Sequence, residues 1–516
     1  MPTLNWLTRE QDLKAAANAE YRLLVEDEKY SYGDPDSGNL ILQGDNLEAL
    51  KALLPFYAGQ VKCIYIDPPY NTGSAFEHYD DNMEHTKWLS MMYPRLELLR
   101  ELLSEEGSIW VNIDDDEGHY MKVLCDELLG RSNFINTVIW QKKYSPANDA
   151  KWLSDNHDFI LVYAKNKVLW RPNLLERSEK ATARYKNPDN DPKGPWKPIT
   201  LHAKSGKNGD FEYTFKNGYT WKPIPGTFPR FSKDTLAKYD KENKIWFGKD
   251  GKSIPAVKNY LSEVKQGVTA LTVWTYDEVG HNHEAKSEVK VFNQDDPFAT
   301  PKPERLIERV ITLSTNAGDL VLDSFLGSGT TAAVAHKMGR RYIGIEMGEQ
   351  AKTHCVVRLK KVIDGEQGGI SKAVGWKGGG GFRFFTLGDA VFDKDRRIKE
   401  DISFENLAAH IYFTETKKPM TKRKKNSTFL GIHEGTAYAL LYNGILGDKS
   451  VNGGNVLTHK TLNYIMNDID AAAKKNKAEL EYNQLVIYGE ATRLTYVSLE
   501  FNNIIFKQTP YDIKVW

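Results

Sequence analysis

A largely apolar run that ends in a proline-rich turn is the feature that most constrains the fold of this chain. Val61–Ile66 is rich in apolar, β-branched and aromatic side chains, which predicts a buried strand of a parallel sheet. The run leads into Asp67-Pro68-Pro69-Tyr70. The two prolines fix φ and make this turn stiff. Because open α/β sheets place their sites at the carboxyl ends of strands, the sequence predicts an α/β fold with a site at this turn.

The turn offers groups that would activate an exocyclic amino group of a nucleobase. Such an amine is a poor nucleophile because its lone pair is delocalised into the ring. A carboxylate oxygen of Asp67 and the free Pro68 carbonyl would hold the two N–H groups and release the lone pair. The Tyr70 ring would stack on a base extruded from the duplex. The alternative is a proline-stiffened loop with an incidental aspartate, since a short motif remains a hypothesis.

A second pattern lies in the second half of the chain. A predicted strand ends at Asp323 and is followed by a glycine-rich turn, an alanine-rich helix and a second strand that ends at Glu346. The turn contains Phe325, Gly327, Ser328, Gly329 and Thr330. This order is typical of nucleotide-binding βαβ units, in which the terminal acid binds ribose hydroxyls. No lysine follows Gly329, so the turn is not a Walker A motif, and the pattern favours an adenosine-containing ligand.

Length, cysteine content and hydropathy narrow the class of protein. A chain of 516 residues predicts roughly two to four domains. Its three cysteines, Cys63, Cys125 and Cys355, are far apart and form no CxxC pair. This argues against a disulfide framework and a metal site, and it predicts a reducing, cytoplasmic compartment. No apolar run is long enough to span a bilayer, so no membrane partner is expected.

The charge is balanced overall but not along the chain. The 69 basic and 69 acidic residues give a net charge of zero, yet the segment from Lys165 to Lys265 holds 22 Lys and Arg against 11 Asp and Glu. A basic segment in an otherwise acidic protein indicates contact with a polyanion. The alternative is a solvated, lysine-rich surface. Most of the many aromatic residues in this segment are expected to form a small domain's own core.

Together, the two motifs resemble the amino-methyltransferases of DNA that use S-adenosylmethionine. The Asp-Pro-Pro-Tyr motif precedes the glycine-rich motif, an order similar to the β class of adenine-N6 methyltransferases. The stretch Asp67–Gly73 and three further segments, 245–248, 258–261 and 378–384, resemble the modification (Mod) subunits of type III restriction–modification systems. The resemblance covers most of residues 1–390.

The resemblance implies a fold and a domain organisation. The fold would be α/β, with a Rossmann-like methyltransferase core built on a mixed, mostly parallel sheet. The core would comprise residues 1–164, with the catalytic motif, and 291–384, with the cofactor motif. A mainly β target recognition domain would be inserted at 165–290, and a small α/β domain at 385–516 would serve dimerisation or partner docking.

The resemblance also implies roles for particular residues. The catalytic residues would be Asp67, Pro68, Pro69 and Tyr70. The cofactor-binding residues would be Asp45, Asn46, Asp67, Lys302, Asp323, Phe325, Gly327, Ser328, Gly329, Thr330 and Glu346. The DNA-binding residues would be Lys142, Lys197, Lys222, Arg230 and Lys249. For Asp45 and Asn46 a helix N-cap is an equal alternative, and for Lys142 a solvated lysine is an alternative.

The implied function is site-specific transfer of a methyl group from S-adenosylmethionine to N6 of a flipped adenine in double-stranded DNA. The protein would act as a homodimeric type III modification subunit beside a restriction (Res) subunit with helicase and nuclease activity. One alternative is an orphan β-class or cytosine-N4 enzyme without such a partner, or one acting on an RNA base. Another is a non-catalytic DNA-binding protein with a methyltransferase fold.

Overall fold

The structure is a computed structural model. The chain forms two compact units: the first comprises Met1–Asn173 and Leu271–Trp516, and the second comprises Leu174–Ala270. The structure describes residues 3–72, 84–177, 179–206, 211–265, 267–294, 296–391, 402–418, 420, 427–442, 454–476 and 481–509. Gly73 of the motif segment lies outside these residues. The second unit is shorter at both ends than the segment 165–290 predicted for target recognition.

Twenty-four strands occur among the described residues. They are β1 Arg22–Glu26, β2 Tyr32–Gly33, β3 Leu40–Gln43, β4 Val61–Ile66, β5 Leu103–Ile113, β6 Phe134–Gln141, β7 His157–Ala164, β8 Trp196–Thr200, β9 His202–Ala203, β10 Tyr213–Thr214, β11 Thr220–Trp221, β12 Phe228–Pro229, β13 Ile245–Trp246, β14 Ala256–Tyr260, β15 Val273–Trp274, β16 Leu320–Asp323, β17 Arg341–Glu346, β18 Gly381–Ala390, β19 Phe429–His433, β20 Thr436–Leu440, β21 Val456–Leu457, β22 Gln484–Gly489, β23 Ala491–Thr492 and β24 Ile504–Gln508.

Fifteen α-helices lie between these strands in the described parts. They are α1 Arg9–Asp12, α2 Ala15–Asn18, α3 Asn46–Tyr57, α4 His85–Leu102, α5 Gly118–Cys125, α6 Glu179–Thr182, α7 Lys233–Lys241, α8 Tyr276–Val279, α9 Asn282–Lys290, α10 Glu304–Ser314, α11 Thr330–Lys337, α12 Val357–Ile363, α13 Phe404–Thr416, α14 His459–Asn476 and α15 Tyr496–Phe501. No described helix is long and apolar enough to cross a membrane.

A mixed, mostly parallel sheet of eleven strands organises the first unit. Its order is β1-β18-β3-β17-β16-β4-β5-β7-β6-β15, with β2 paired to β18. The five strands β3, β17, β16, β4 and β5 are all parallel. The α/β prediction is therefore confirmed. Because β16 and β4 are parallel neighbours, Asp323 at the end of β16 and Asp67 directly after β4 lie at the same edge of the sheet.

The antiparallel strands bring a third stretch of chain to this edge. β7 pairs antiparallel with β5, so its first residues lie beside the carboxyl end of β5. β6 also pairs antiparallel with β7, with Gln141 opposite His157. The end of β6 and the start of β7 therefore meet at the edge where β4 and β16 end. This topology delivers Lys142 and Asp158 to the predicted site.

The main core lies between the sheet and the helices on one of its faces. Leu53 of α3 and Trp88 of α4 are fully buried with Ile64 of β4 in one apolar cluster. Burying one such side chain stabilises the fold by about 1.5–3 kcal/mol. This packing makes β4, and therefore the turn that follows it, a rigid support.

The second unit is small and mainly β. It contains the antiparallel sheet β13-β14-β8 and the two-stranded ribbons β10-β11 and β9-β12. Its buried cluster includes Phe215 and Trp221, with further aromatic residues packed against it. The prediction that most aromatic residues of the central segment form a domain core is confirmed.

After β18 the chain forms a second, smaller sheet with helices packed on its faces, within the first unit. Its order is β19-β20-β22-β24, with β20, β22 and β24 parallel. Alternate residues of β22 belong to different clusters, since Leu485 packs with Ile465 of α14 and Val486 packs with Leu407 of α13. Both faces of this sheet are therefore buried, as parallel sheets require.

Candidate active site

The Asp-Pro-Pro-Tyr turn is held by hydrogen bonds on both sides. The Tyr70 hydroxyl donates to Asp67 Oδ1 at 2.8 Å, and Trp88 Nε1 donates to the Pro69 carbonyl oxygen at 2.8 Å. Trp88 thereby ties the turn to α4. The Pro69 carbonyl is therefore occupied. Among the residues that the structure describes, no hydrogen bond reaches the Pro68 carbonyl.

A polar cluster behind Tyr70 fixes its side chain. The hydroxyl accepts a hydrogen bond from Asn112 Nδ2 and lies 3.2 Å from Asp158 Oδ2. Lys142 Nζ pairs with Asp158 at 2.6 Å and with Asp155 at 2.9 Å. Lys142 is thus buried and paired, so the alternative of a solvated lysine is wrong. Burial and the neighbouring carboxylates raise the pKa of the Tyr70 hydroxyl well above its ordinary value, which keeps it a hydrogen-bond donor.

Lys302 faces the turn from the segment before α10. Its ammonium forms an ion pair with Asp67 and lies 5.3 Å from the centroid of the Tyr70 ring. Burial raises the pKa of Asp67, whereas the Lys302 ammonium and the Tyr70 hydroxyl oppose that rise. Both carboxylate oxygens of Asp67 therefore have partners inside the protein.

The glycine-rich turn lies next to this corner. Asp323 accepts hydrogen bonds from the Phe325 N–H at 2.9 Å and the Thr331 hydroxyl at 2.6 Å. Burial raises the pKa of Asp323 to about 7 despite these two bonds. Gly329 caps α11 with φ of 79°, a left-handed conformation that favours glycine.

Three other predicted cofactor residues form hydrogen bonds with nearby backbone groups. Glu346 is buried and accepts the Gly327 N–H at 2.7 Å and the Gly348 N–H at 3.3 Å. Asn46 is buried and donates to the Ser324 carbonyl at 2.7 Å. Asp45 is the N-cap of α3 and accepts the Leu47 N–H at 2.8 Å. The N-cap alternative is confirmed for Asp45, whereas Asn46 is the first residue of the helix.

A cavity of about 340 Å³ joins the two motifs. The predicted residues that line it are Asp67, Pro68, Pro69, Tyr70, Lys142, Lys302, Asp323, Phe325, Gly327, Ser328 and Thr330. Asp45, Asn46, Gly329 and Glu346 are not among its lining residues. A neighbouring cavity of about 420 Å³ is lined by Tyr70, Asp158, Lys142 and Lys302, together with residues of α9. Tyr70, Lys142 and Lys302 therefore lie between the two cavities.

The remaining predicted DNA contacts lie in the second unit. Lys222 is exposed and pairs with Glu212 at 3.0 Å, and Lys197 lies 5.1 Å from the centroid of the Tyr185 ring. Arg230 Nη2 donates to the His202 carbonyl at 3.3 Å. Lys249 is exposed, and no ion pair involves it in the described part of the chain. Their contact with DNA stays a prediction.

Sequence reasoning missed several residues that shape the site. Asn112, Asp158 and Trp88 hold the turn from three different elements. Asp158 gave a usable signal, because a carboxylate at the start of the apolar strand β7 must find a partner when it is buried. Trp88 and Asn112 gave none, since a tryptophan in a helix and an asparagine in a strand are consistent with many environments.

Comparison with known proteins identifies a matching family and several relatives. The sequence profile of a DNA methylase family matches residues 61–356, which include both motifs. A Haemophilus influenzae protein named "Probable type III restriction-modification enzyme HindVI Mod subunit" is 35% identical over 414 residues, which cover 70% of this chain and 55% of that protein. The Salmonella typhimurium type III restriction-modification enzyme StyLTI Mod subunit is 34% identical over 369 residues, 64% of this chain and 55% of that protein.

The chain spans about half the length of these two relatives. Among solved structures, the cytosine-N4-specific PvuII DNA methyltransferase matches with a TM-score of 0.35 and 14% identity, covering 69% of this chain and 93% of that one. The profile match covers more than half of the sequence. The chain therefore belongs to the DNA methylase family, as the two motifs predicted.

Proposed function

We propose that the protein is a site-specific DNA methyltransferase that transfers a methyl group from S-adenosylmethionine to N6 of an adenine turned out of the duplex. The observation that carries the proposal is the single cavity that joins Asp67 and Tyr70 to Asp323 and the glycine-rich turn. A methyl donor and an acceptor amine must be held in line and close together for transfer. The two motifs provide one compartment for both.

The residues of the first cavity fit the cofactor. S-Adenosylmethionine supplies a methyl group on a positively charged sulfonium, so transfer needs no metal or ATP. Asp67 and Asp323 offer carboxylates to a cation, and Phe325 and Leu326 offer apolar surface. Tyr65 also lines the cavity, and its buried hydroxyl has no hydrogen-bond partner in the described part. A polar ligand atom would satisfy that hydroxyl.

Residues behind the glycine-rich turn would position it. Glu346 holds the Gly327 N–H, and Asn46 holds the Ser324 carbonyl. Glu346 braces the turn, and its carboxylate would also bind a ribose hydroxyl. Glu346 and Asn46 would therefore support the cofactor site from behind its lining, and Asp45 and Gly329 are proposed members of the same site.

The turn at Asp67 would activate the amine. The Pro68 carbonyl is open to one N–H, and Asp67 Oδ2 would take the other after Lys302 moves or shares it. The Lys302 ammonium favours the ionised form of Asp67 in the meantime. The base would lie against Tyr70, whose hydroxyl is already fixed by Asp67 and Asn112, with its amine in the first cavity. Such preorganisation is the main source of catalysis in sites of this kind.

The choice of adenine rests on the first residue of the catalytic motif. Position 67 is aspartate. In the similar cytosine-N4 methyltransferases, serine is commoner as the first residue of this motif. The names of the relatives support the role of a type III modification subunit. In that role the protein would act on double-stranded DNA as a homodimer beside a Res subunit. Its place would be the cytoplasm, where the three buried, unpaired cysteines would stay reduced.

The product identifies the reaction. Purified protein is incubated with S-adenosylmethionine and plasmid duplex DNA, and the digested nucleosides are separated by mass spectrometry. We expect N6-methyladenine, and sequencing of the modified DNA then gives the recognition site. N4-methylcytosine instead would contradict the choice of base, and no methylated nucleoside at all would contradict the proposed function.

A further inference from the structure

The segment between β6 and β7 carries two large apolar side chains that are exposed to solvent. Trp152 is 84% exposed and the adjacent Leu153 is 92% exposed. A single exposed apolar residue is ordinary, but neighbouring ones at a site rim indicate an interaction surface. Of the tryptophans in the described ranges, Trp152 is the only one that is largely exposed.

Both ends of this segment are fixed at the cavities. The Lys142 N–H donates to the Asn156 carbonyl at 2.9 Å, and its ammonium pairs with Asp155 at 2.9 Å. Lys142 and Asp155 both line the first cavity. At about 3.8 Å per residue, Leu153 and Trp152 lie within roughly 8 and 11 Å of Asp155 along the chain. The apolar pair therefore stands beside the mouth of the candidate site.

The charges around the apolar pair fit DNA better than a protein partner. Lys143 and Lys151 are exposed, and neither forms an ion pair with any residue that the structure describes. Lys151 Nζ also lies 5.2 Å from the centroid of the Trp152 ring. Apolar side chains flanked by cations that form no ion pair in the described part match a duplex, which has phosphates outside and stacked bases inside. A protein partner would not require a position beside the base-binding cavity.

We propose that Trp152 and Leu153 enter the base stack at the position that the target nucleotide vacates. This inference rests on the proposed function, since it requires an extruded base. An indole ring is flat and fills the gap left by a base, and apolar wedges of this kind stabilise unstacked steps in other DNA-binding proteins. Filling the gap prevents the nucleotide from returning and shifts the population toward the extruded state.

The test separates base extrusion from chemistry. The double variant Trp152→Ala/Leu153→Ala is compared with Val168→Ala/Leu169→Ala, an exposed apolar pair beyond the other end of β7. Single-turnover methyl transfer is measured on two duplexes that contain the recognition site. One is fully paired, and the other lacks the base opposite the target adenine.

We expect the Trp152/Leu153 variant to transfer at least about tenfold more slowly on the paired duplex, because extrusion is less favourable. On the duplex without the opposing base its rate should return to within about twofold of the unaltered protein, because no pair has to open. The Val168/Leu169 variant should behave as the unaltered protein on both duplexes. Cofactor titration should give the same affinity for all three proteins.

Other outcomes overturn the inference in distinguishable ways. A normal rate for the Trp152/Leu153 variant on the paired duplex would leave the pair as a contact for another protein. A slow rate on both duplexes would place the defect outside base extrusion. If the unaltered protein methylated no DNA, the proposed function would fail and the wedge with it.

Discussion

At the scale of single residues, Asp323 combines two hydrogen bonds with a buried environment that is unfavourable for its charge. Its carboxylate is bound by the Thr331 hydroxyl and the Phe325 N–H, yet burial raises its pKa to about 7. Its folded pKa is therefore above the ordinary value of 3.8. A carboxyl group of this kind contributes stability that is fully present at low pH and is lost as the pH rises toward 7. A cationic ligand would reverse this cost by favouring the ionised form.

The isosteric change Asp323→Asn tests this argument. Between pH 5 and pH 7 the free energy of unfolding of the unaltered protein should fall relative to that of the variant by about 2 kcal/mol. Urea denaturation of both proteins at a series of pH values measures the difference. A difference that is independent of pH would show that the carboxyl group is not perturbed.

At the scale of elements, a buried ion cluster joins the walls of the site. Arg358 of α12 donates to Thr330 Oγ1 and to Glu304 Oε1, each at 2.8 Å. Glu304 begins α10, directly after the segment that carries Lys302, and also pairs with Lys337 at 2.8 Å. Burial alone would raise the pKa of Glu304, but Arg358 and Lys337 hold it below the ordinary value. Arg358 thus links the glycine-rich turn to the segment that carries Lys302.

Replacing Arg358 by methionine should weaken both stability and cofactor binding. Glu304 would keep a buried charge with one cation removed, at a cost of about 3–5 kcal/mol. Arg358→Lys keeps the charge and should lose less. Denaturation and cofactor titration of the two variants measure these effects. Unchanged stability and affinity in Arg358→Met would contradict the proposed link between the walls.

The sequence predicted secondary structure correctly where the order of apolar and polar side chains matches the repeat of a strand or a helix. The apolar strand before Asp67 and the βαβ unit around Asp323 both formed as predicted. Contacts between distant segments were not predictable, because they depend on the order of strands in the sheet. The pairing of Lys302 with Asp67 and of Lys142 with Asp158 belongs to this class. A lysine in a loop gives no local signal of the carboxylate that it will meet.

At the scale of the whole molecule, charge is divided between the two compact units. The basic excess of the central segment falls largely in the unit Leu174–Ala270. Its aromatic residues form a core, and most of its described lysines, apart from the buried Lys258, are on the surface, where they are able to meet phosphates. The methyltransferase motifs all lie in the other unit. This division predicts that DNA affinity and cofactor affinity can be altered separately.

The double change Lys222→Ala/Lys249→Ala tests this division. Each lysine that binds a phosphate contributes about one to the slope of log affinity against log salt, so the double variant should reduce that slope by about two, with little change in cofactor binding. The matched control is Lys460→Ala/Lys474→Ala, which alters two exposed lysines of α14. Fluorescence anisotropy with duplex DNA at several salt concentrations measures the slope. Equal slopes for all proteins would exclude these two lysines from the DNA-binding surface.

The role of the Asp67 corner is tested by methyl transfer with Asp67→Asn, measured in a single turnover on duplex DNA beside cofactor titration. The substitution keeps the shape of the side chain but removes the charge that would hold the amine. We predict that transfer falls by at least about 100-fold, far more than the affinity for the cofactor, to which Asp323 still offers a carboxylate. Transfer at the rate of the unaltered protein would contradict the claim that the Asp67 corner activates the base.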